Sequence, residues 1–214
     1  MSSAPRRFHR LLGIGVAAAA LAVAACGGGG GDENRTPFAP NVPVVPTAVD
    51  VDAASFTPVT SSTGTYSISI PEGWAPVGGV GAATQEETWQ LWTGERLTAE
   101  MAVTCEPIPN NPVTGEPFNN RDFADRDRAL RGALGGAVIP DEGTEFGLTV
   151  ADEPALGTTY TVTASGIAIR QQAIYVIKGD CAWILHLRVF GDGDAGGYAR
   201  LFGRVVGSFR PIDN

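Results

Sequence analysis

Three cysteines, two histidines and four tryptophans hold most of the chemistry this 214-residue chain could perform. The histidines are His9 and His186, and only His186 lies in the body of the chain. An imidazole that titrates near neutrality can act as a general base, for instance for a serine in a hydrolase. No G-x-S-x-G elbow accompanies it, however. On an extended strand it shares a face with Ile184, Arg188 and Phe190, so it reads as a structural or surface histidine, and no residue is assigned a catalytic role. Asp192-Gly193-Asp194 begins like a calcium loop, but an EF-hand counted from Asp192 would need oxygen ligands where Gly196 and Gly203 stand. A turn followed by a helix cap explains it better. One histidine and cysteines far apart in sequence lack the ligand spacing of zinc sites, so neither metal nor cofactor is expected.

The third cysteine, Cys26, sits differently. Arg6, Arg7 and Arg10 precede an apolar and small-residue run from Leu11 to Ala25, the layout of an export signal. The run is shorter than the about 20 residues that span a bilayer, and it contains Gly13 and Gly15, which argues against a permanent transmembrane helix. It closes on Val23-Ala24-Ala25-Cys26, which resembles the lipobox of bacterial lipoproteins. The resemblance implies that the Cys26 thiol is alkylated by a diacylglycerol and becomes the N-terminus after cleavage. Physically this is sound, because two or more acyl chains anchor stably where one does not. The alternative, ordinary cleavage near Ala25, leaves an exposed thiol in an oxidising compartment.

The stretch after Cys26 reads as a tether. Gly27 to Gly31 can pack nothing and cost the most entropy to order, and with no strand before them and no helix after they are not a phosphate loop. Pro37, Pro40, Pro43, Pro46 and Pro58 give a stiffer, extended continuation. The expected organisation is therefore a signal peptide over 1–25, a flexible Gly/Pro-rich tether over 26–60 and one domain over 61–214. The chain has 43% hydrophobic residues, enough for a core. Its formal net charge is −8, and loss of the arginine-bearing leader makes it more acidic still. That excludes nucleic acid as a natural partner and leaves attachment through Cys26 as the route to the extracytoplasmic face of a membrane, inner or outer.

Within the domain, Thr65-Tyr66-Ser67-Ile68-Ser69-Ile70 alternates strictly, placing Tyr66, Ile68 and Ile70 on the buried side of a strand that Pro71-Glu72-Gly73-Trp74 turns. Strands are expected around Thr88–Trp92 and over Leu97–Cys105, then a proline-rich loop from Pro107 to Pro117. Asn119 or Asn120 caps a helix to about Leu134, with Asp122–Arg126 and Asp127–Arg131 as i,i+4 pairs, Phe123, Leu130 and Leu134 as its apolar stripe, and its charges solvated. Phe146–Val150 and Leu156–Ala164 are further strands. Two-residue turns at Ser165-Gly166 and Gly179-Asp180 make Leu156–Phe190 a meander. Asp194 caps a last helix carrying Tyr198, Leu201, Phe202, Val205 and Phe209, which Pro211 stops.

An antiparallel sheet with helices packed on it is an α+β fold. The strand ending in Ile70-Pro71-Glu72-Gly73-Trp74 and the closing Val206-Gly207-Ser208-Phe209-Arg210 are similar to the PsbP-like domain over about residues 60 to 212. That resemblance implies an αβα-type sandwich and a binding or assembly role, but not the photosystem role of PsbP itself.

With lipid on Cys26, Cys105 and Cys181 remain as an even pair in an oxidising compartment, which favours a disulfide between them. Parity agrees: Cys105 lies in line with Met101 and Val103, and Cys181 with Trp183 and Leu185. Trp89 and Trp92 have opposite strand parity, so the two cannot both be core unless both faces are covered. The function expected is a non-enzymatic binding or assembly module whose partner, an envelope protein or a small ligand, is open. A lipid or sugar binder using an exposed tryptophan and an envelope hydrolase using His186 are the alternatives.

Overall fold

The structure is a computed structural model and describes residues 49–77, 85–133, 137–164 and 166–212. The signal segment, Cys26 and most of the tether lie outside the described residues. The strands are β1 (Phe56–Thr60), β2 (Tyr66–Pro71), β3 (Ala75–Val77), β4 (Gln85–Thr93), β5 (Arg96–Pro107), β6 (Ala137–Val150), β7 (Glu153–Ala164), β8 (Ile167–Lys178), β9 (Cys181–Phe190) and β10 (Arg210–Pro211). The helices are α1 (Asn120–Ala133) and α2 (Ala195–Ser208). Seven strands form an antiparallel sheet in the order β3-β4-β5-β9-β8-β7-β6, and β1-β2-β10 form a small second sheet. The fold is thus α+β.

Two cores flank the large sheet. The larger collects Tyr66, Ile68 and Ile70 of β2, Met101 and Val103 of β5, Trp183, Leu185, Leu187 and Val189 of β9, and Tyr198, Leu201, Phe202 and Val205 of α2. These are the positions that period-2 and helical spacing assign inward. The smaller core joins Phe123 and Ala124 of α1 to Ala173, Tyr175, Ala182 and Ile184 on the other side of the sheet. The opposite parities of β9 therefore feed opposite cores.

The domain starts earlier than residue 61. Phe56–Thr60, expected within the tether, is β1, paired antiparallel with β2 from Phe56↔Pro71 to Thr60↔Ser67. Pro58 fits because β1 is an edge strand, where a missing N–H can face away from the ladder. Further upstream, the Val49 N–H donates to Asp194 Oδ2 at 3.0 Å and Arg204 Nη1 donates to the Val51 carbonyl at 2.6 Å. Asp194 also caps α2 by accepting from the Gly197 N–H at 2.8 Å, so one carboxylate serves both helix and entering chain. Residue 197 has to be glycine, because a Cβ there would collide with the Asp194 carboxylate and with Val49. These backbone hydrogen bonds, led by the one from Gly197, hold the Asp194 carboxyl below its ordinary range.

Helix α1 departs from expectation in its partners. Asn119 Oδ1 accepts from the N–H groups of Arg121 and Asp122 at 2.8 and 3.2 Å, while Asp122 reaches back to the Asn119 N–H at 2.9 Å. That reciprocity is a capping box, and it occupies Asp122. Arg126 instead pairs with Glu106 of β5 at 2.5 Å and lies 4.8 Å from the Phe123 ring centre. Leu130 is exposed rather than part of the apolar stripe, and Ala124 is buried in its stead. Leu134 and the Arg131 side chain lie outside the described residues.

Cys105 and Cys181 are joined by a disulfide, with Cα atoms 5.6 Å apart and a separation of 76 in sequence. In register Cys105 faces Trp183 and Cys181 faces Pro107, so the bridge runs diagonally across adjacent strands at the ends of β5 and β9. Unfolded, unreduced protein is expected to show neither of these two thiols free in a thiol titration. Replacing both by serine should lower the unfolding free energy by up to about 4 kcal/mol, because closing a loop of this length restricts the unfolded chain. Denaturant titrations with and without reductant measure the difference, and reductant should leave the double variant unchanged.

Candidate functional site

Pro71 ends β2, and Gly73, at φ +85°, takes a backbone conformation that a residue with a Cβ adopts only under strain. The turn carries the chain off the small sheet and onto the edge of the large one, where β3 pairs with β4. The step between the two sheets leaves a groove of about 560 Å³, lined among others by Val59, Ile70, Trp74, Val77, Glu87 and Trp89. That volume lies within the range of ligand-binding clefts. Trp74 and Trp89 are 8% and 5% exposed, whereas Val77 at the rim is 45% exposed. Trp74 meets Tyr198 of α2 edge-on, with ring centres 6.2 Å apart, which fixes the indole at the groove wall.

One carboxylate organises the other end. Glu87 shares the parity of Trp89 and points to the same side of β4. Its Oε1 accepts from the backbone N–H and the hydroxyl of Ser62, both at 2.5 Å, and its Oε2 accepts from the Tyr66 hydroxyl at 2.6 Å. The carboxylate therefore ties the β1–β2 connection to the large sheet. Burial, reinforced by the hydrogen bond and negative charge of Glu87, pushes the Tyr66 phenol far above its ordinary value.

His186 lies elsewhere. It is 8% exposed, on the α1 side of β9, flanked in register by Ala102 and Ala173. Its Nε2 is 3.2 Å from Asp127 Oδ2, which also accepts from the Tyr175 hydroxyl at 2.9 Å. Asp127 of α1 thus turns toward the sheet, where its helical position predicts a solvated charge. Asp192 pairs with Arg96 and Asp194 caps α2, so both carboxylates of the Asp192-Gly193-Asp194 segment have structural partners. Of the four tryptophans, Trp74 and Trp89 come together at the groove, Trp183 enters the large core, and Trp92 stands on the far face at 52% exposure. Ser62, Glu87 and the Tyr66 hydroxyl escape a reading of the sequence alone. The available signal is a charged residue at a core-facing strand position, which burial tolerates only with partners.

No family model and no curated protein matches the chain. Solved structures do. The domain is similar to the cyanobacterial PsbP (CyanoP) of Synechocystis sp. PCC 6803, at 16% identity and TM-score 0.53, over 74% of this chain and 94% of that one. It is also similar to the Saccharomyces cerevisiae Ran-binding protein Mog1p, at 10% identity and TM-score 0.56, over 75% of this chain and 97% of that one. Identities this low speak for the fold alone: the α+β arrangement is similar to that of these two structures.

The Tyr66 shift has a sign that can be tested. An acid whose folded value lies above its unfolded one holds its proton in the native state and releases it first on unfolding. Stability should therefore be level below about pH 10, the ordinary phenol value, and fall above it. Urea midpoints between neutral and strongly alkaline pH should trace that decline, and Tyr66→Phe should make it shallower. Tyr198, also raised by burial and then by the Asp194 charge, accounts for part of what remains.

Proposed function

We propose that this chain is a lipid-anchored extracytoplasmic lipoprotein whose domain works as a non-enzymatic binding or assembly module. Cys26 is the lipid site and the groove between the two sheets is the binding surface. The groove is the observation that carries this reading: it is ligand-sized, walled by two tryptophans and braced by a carboxylate that is already engaged. The hydrolase alternative is disfavoured by placement, since His186 sits under α1 against Asp127, on the opposite side of the sheet from Trp89. Mog1p, on a similar fold, is a Ran-binding protein, so an architecture of this kind is compatible with gripping another protein.

Val23-Ala24-Ala25-Cys26 supports the anchor. Between it and the first clamp on the domain, at Val49, the chain can reach roughly 75 Å if fully extended. Among the described residues no helix is long and apolar enough to cross a membrane, so nothing there competes with that attachment.

Mass spectrometry of the mature N-terminal peptide should find Cys26 diacylated, and Cys26→Ser should move the protein from the membrane pellet to the soluble fraction. An intact leader, or an unmodified chain beginning at Cys26, would remove the anchor from this reading. For the groove, a photo-crosslinking residue at Val77 should trap a defined adduct on intact cells that Val59→Arg abolishes. The same probe at Val113, which is 90% exposed, should not trap it. Equal capture at both positions would sink the groove as the binding surface.

A further inference from the structure

On one face of the large sheet, helix α1 packs on β6, β7 and β8 and reaches β5 through the Arg126–Glu106 pair near the end of that strand. Across this face Gln90, Glu100, Arg188, Gln171 and Tyr160 stand opposite one another in register on β4, β5, β9, β8 and β7. They are also bonded to each other. Gln90 Nε2 donates to Glu100 Oε2 at 2.8 Å, Arg188 pairs with the other Glu100 oxygen, and the Tyr160 hydroxyl donates to Gln171 Oε1 at 3.0 Å. At the β4 end, Trp92 Nε1 donates to Gln90 Oε1 at 3.2 Å. A register shift between Leu91 and Trp92 leaves Thr98 of β5 without a partner just before the β4–β5 turn, while Trp92 keeps the face of Gln90.

We propose that Trp92, Gln90, Glu100 and Arg188 form a binding platform for a neutral saccharide. A sugar ring needs an apolar plate for its C–H face and planar hydrogen-bonding groups for its hydroxyls, and this row supplies both. Trp92 is 52% exposed, whereas Trp74, Trp89 and Trp183 are 8%, 5% and 4% exposed, so a single indole offers its surface to solvent. Its nitrogen is tied down by Gln90. That amide keeps one N–H and one lone pair free, and Arg188 keeps donors beyond the one on Glu100. Glu100, with its side chain 13% exposed, is a positioning residue; Arg188, at 29%, reaches further into solvent.

Charge selects the ligand class. Glu100 and Arg188 neutralise each other, so the row presents hydrogen bonds without net charge on a chain whose formal charge is −8. A polyol is served by that arrangement, whereas an ion of either sign gains nothing from it. The groups sit on central strands and hold each other in place, so a ligand pays little ordering entropy to engage them. Two strand spacings, about 10 Å from β4 to β9, suit a short oligosaccharide. The platform is separate from the Glu87 and Trp89 side chains of the groove, which point to the other face of β4.

The test uses the full mature chain with maltohexaose, cellohexaose and chitohexaose at millimolar concentration. At least one is expected to shield the accessible tryptophan from acrylamide quenching and to give a saturable isotherm in calorimetry that added salt leaves unchanged. Trp92→Ala should weaken that binding about tenfold, the scale of one lost aromatic contact, without moving the unfolding midpoint. Gln90→Ala should weaken it too, and Val59→Arg in the groove should not. Absence of shielding by all three sugars would overturn the proposal. So would undiminished binding by Trp92→Ala, loss of binding by Val59→Arg, or an affinity that falls steeply with salt.

Discussion

Three aromatic rings from three layers meet at one point, and the rest of the domain is arranged around that meeting. Tyr66 comes from the small sheet, Trp183 from the centre of the large sheet, and Phe209 from the residue just past α2. Tyr66 and Trp183 lie edge-on with ring centres 5.5 Å apart, Trp183 and Phe209 at 5.3 Å, and Tyr66 and Phe209 at 5.6 Å. All three are almost wholly buried, so each ring contributes both its apolar area and its edge-to-face geometry. The triangle fixes the small sheet against the large one together with Ile68 and Ile70, which are buried in the same core. The groove is the gap between those two pieces, so its width is set by this packing and by the Glu87–Tyr66 tie beside it.

The two faces of the large sheet divide the work unevenly. The α2 face is the drier, with aliphatic and aromatic side chains from three layers. The α1 face has a smaller core, and its polar groups satisfy one another: Asp127 with Tyr175 and His186, Tyr160 with Gln171, Glu100 with Arg188 and Gln90. Hydrogen bonds among immobilised partners add little net stability but fix geometry closely. That difference explains why His186 can look available in the sequence and yet be enclosed in the fold.

Much of this is legible because period and parity report burial directly. Tyr66, Ile68 and Ile70 fall inward as alternation requires, β9 spans Cys181–Phe190 as its pattern predicts, and Asp194 caps α2. The hidden features have physical reasons. β1 carries Pro58 and comes after a proline-rich run, so its composition is that of a linker, and only its partner β2 makes it a strand. The β6–β7 turn is Ala151-Asp152, both at positive φ (50° and 67°), without the glycine that usually betrays such a turn. Gly157 carries no local sign of its purpose, which is to leave room for the ring of Phe146 on the neighbouring strand. The groove is invisible in the sequence, because it is made by two sheets whose relative placement depends on contacts between Tyr66 and residues more than a hundred positions away.

The way the chain enters the domain has a mechanical side. Val49 and Val51 are held by Asp194 and Arg204, at the cap and on the body of α2, before the backbone reaches β1. The chain is therefore fastened to that helix and to the carboxylate that caps it before it enters the small sheet. β1 forms one wall of the groove through Thr57 and Val59, so fixing the chain at α2 also fixes where that wall begins. The clamps on α2 thus stand between the incoming chain and the strand that walls the cleft.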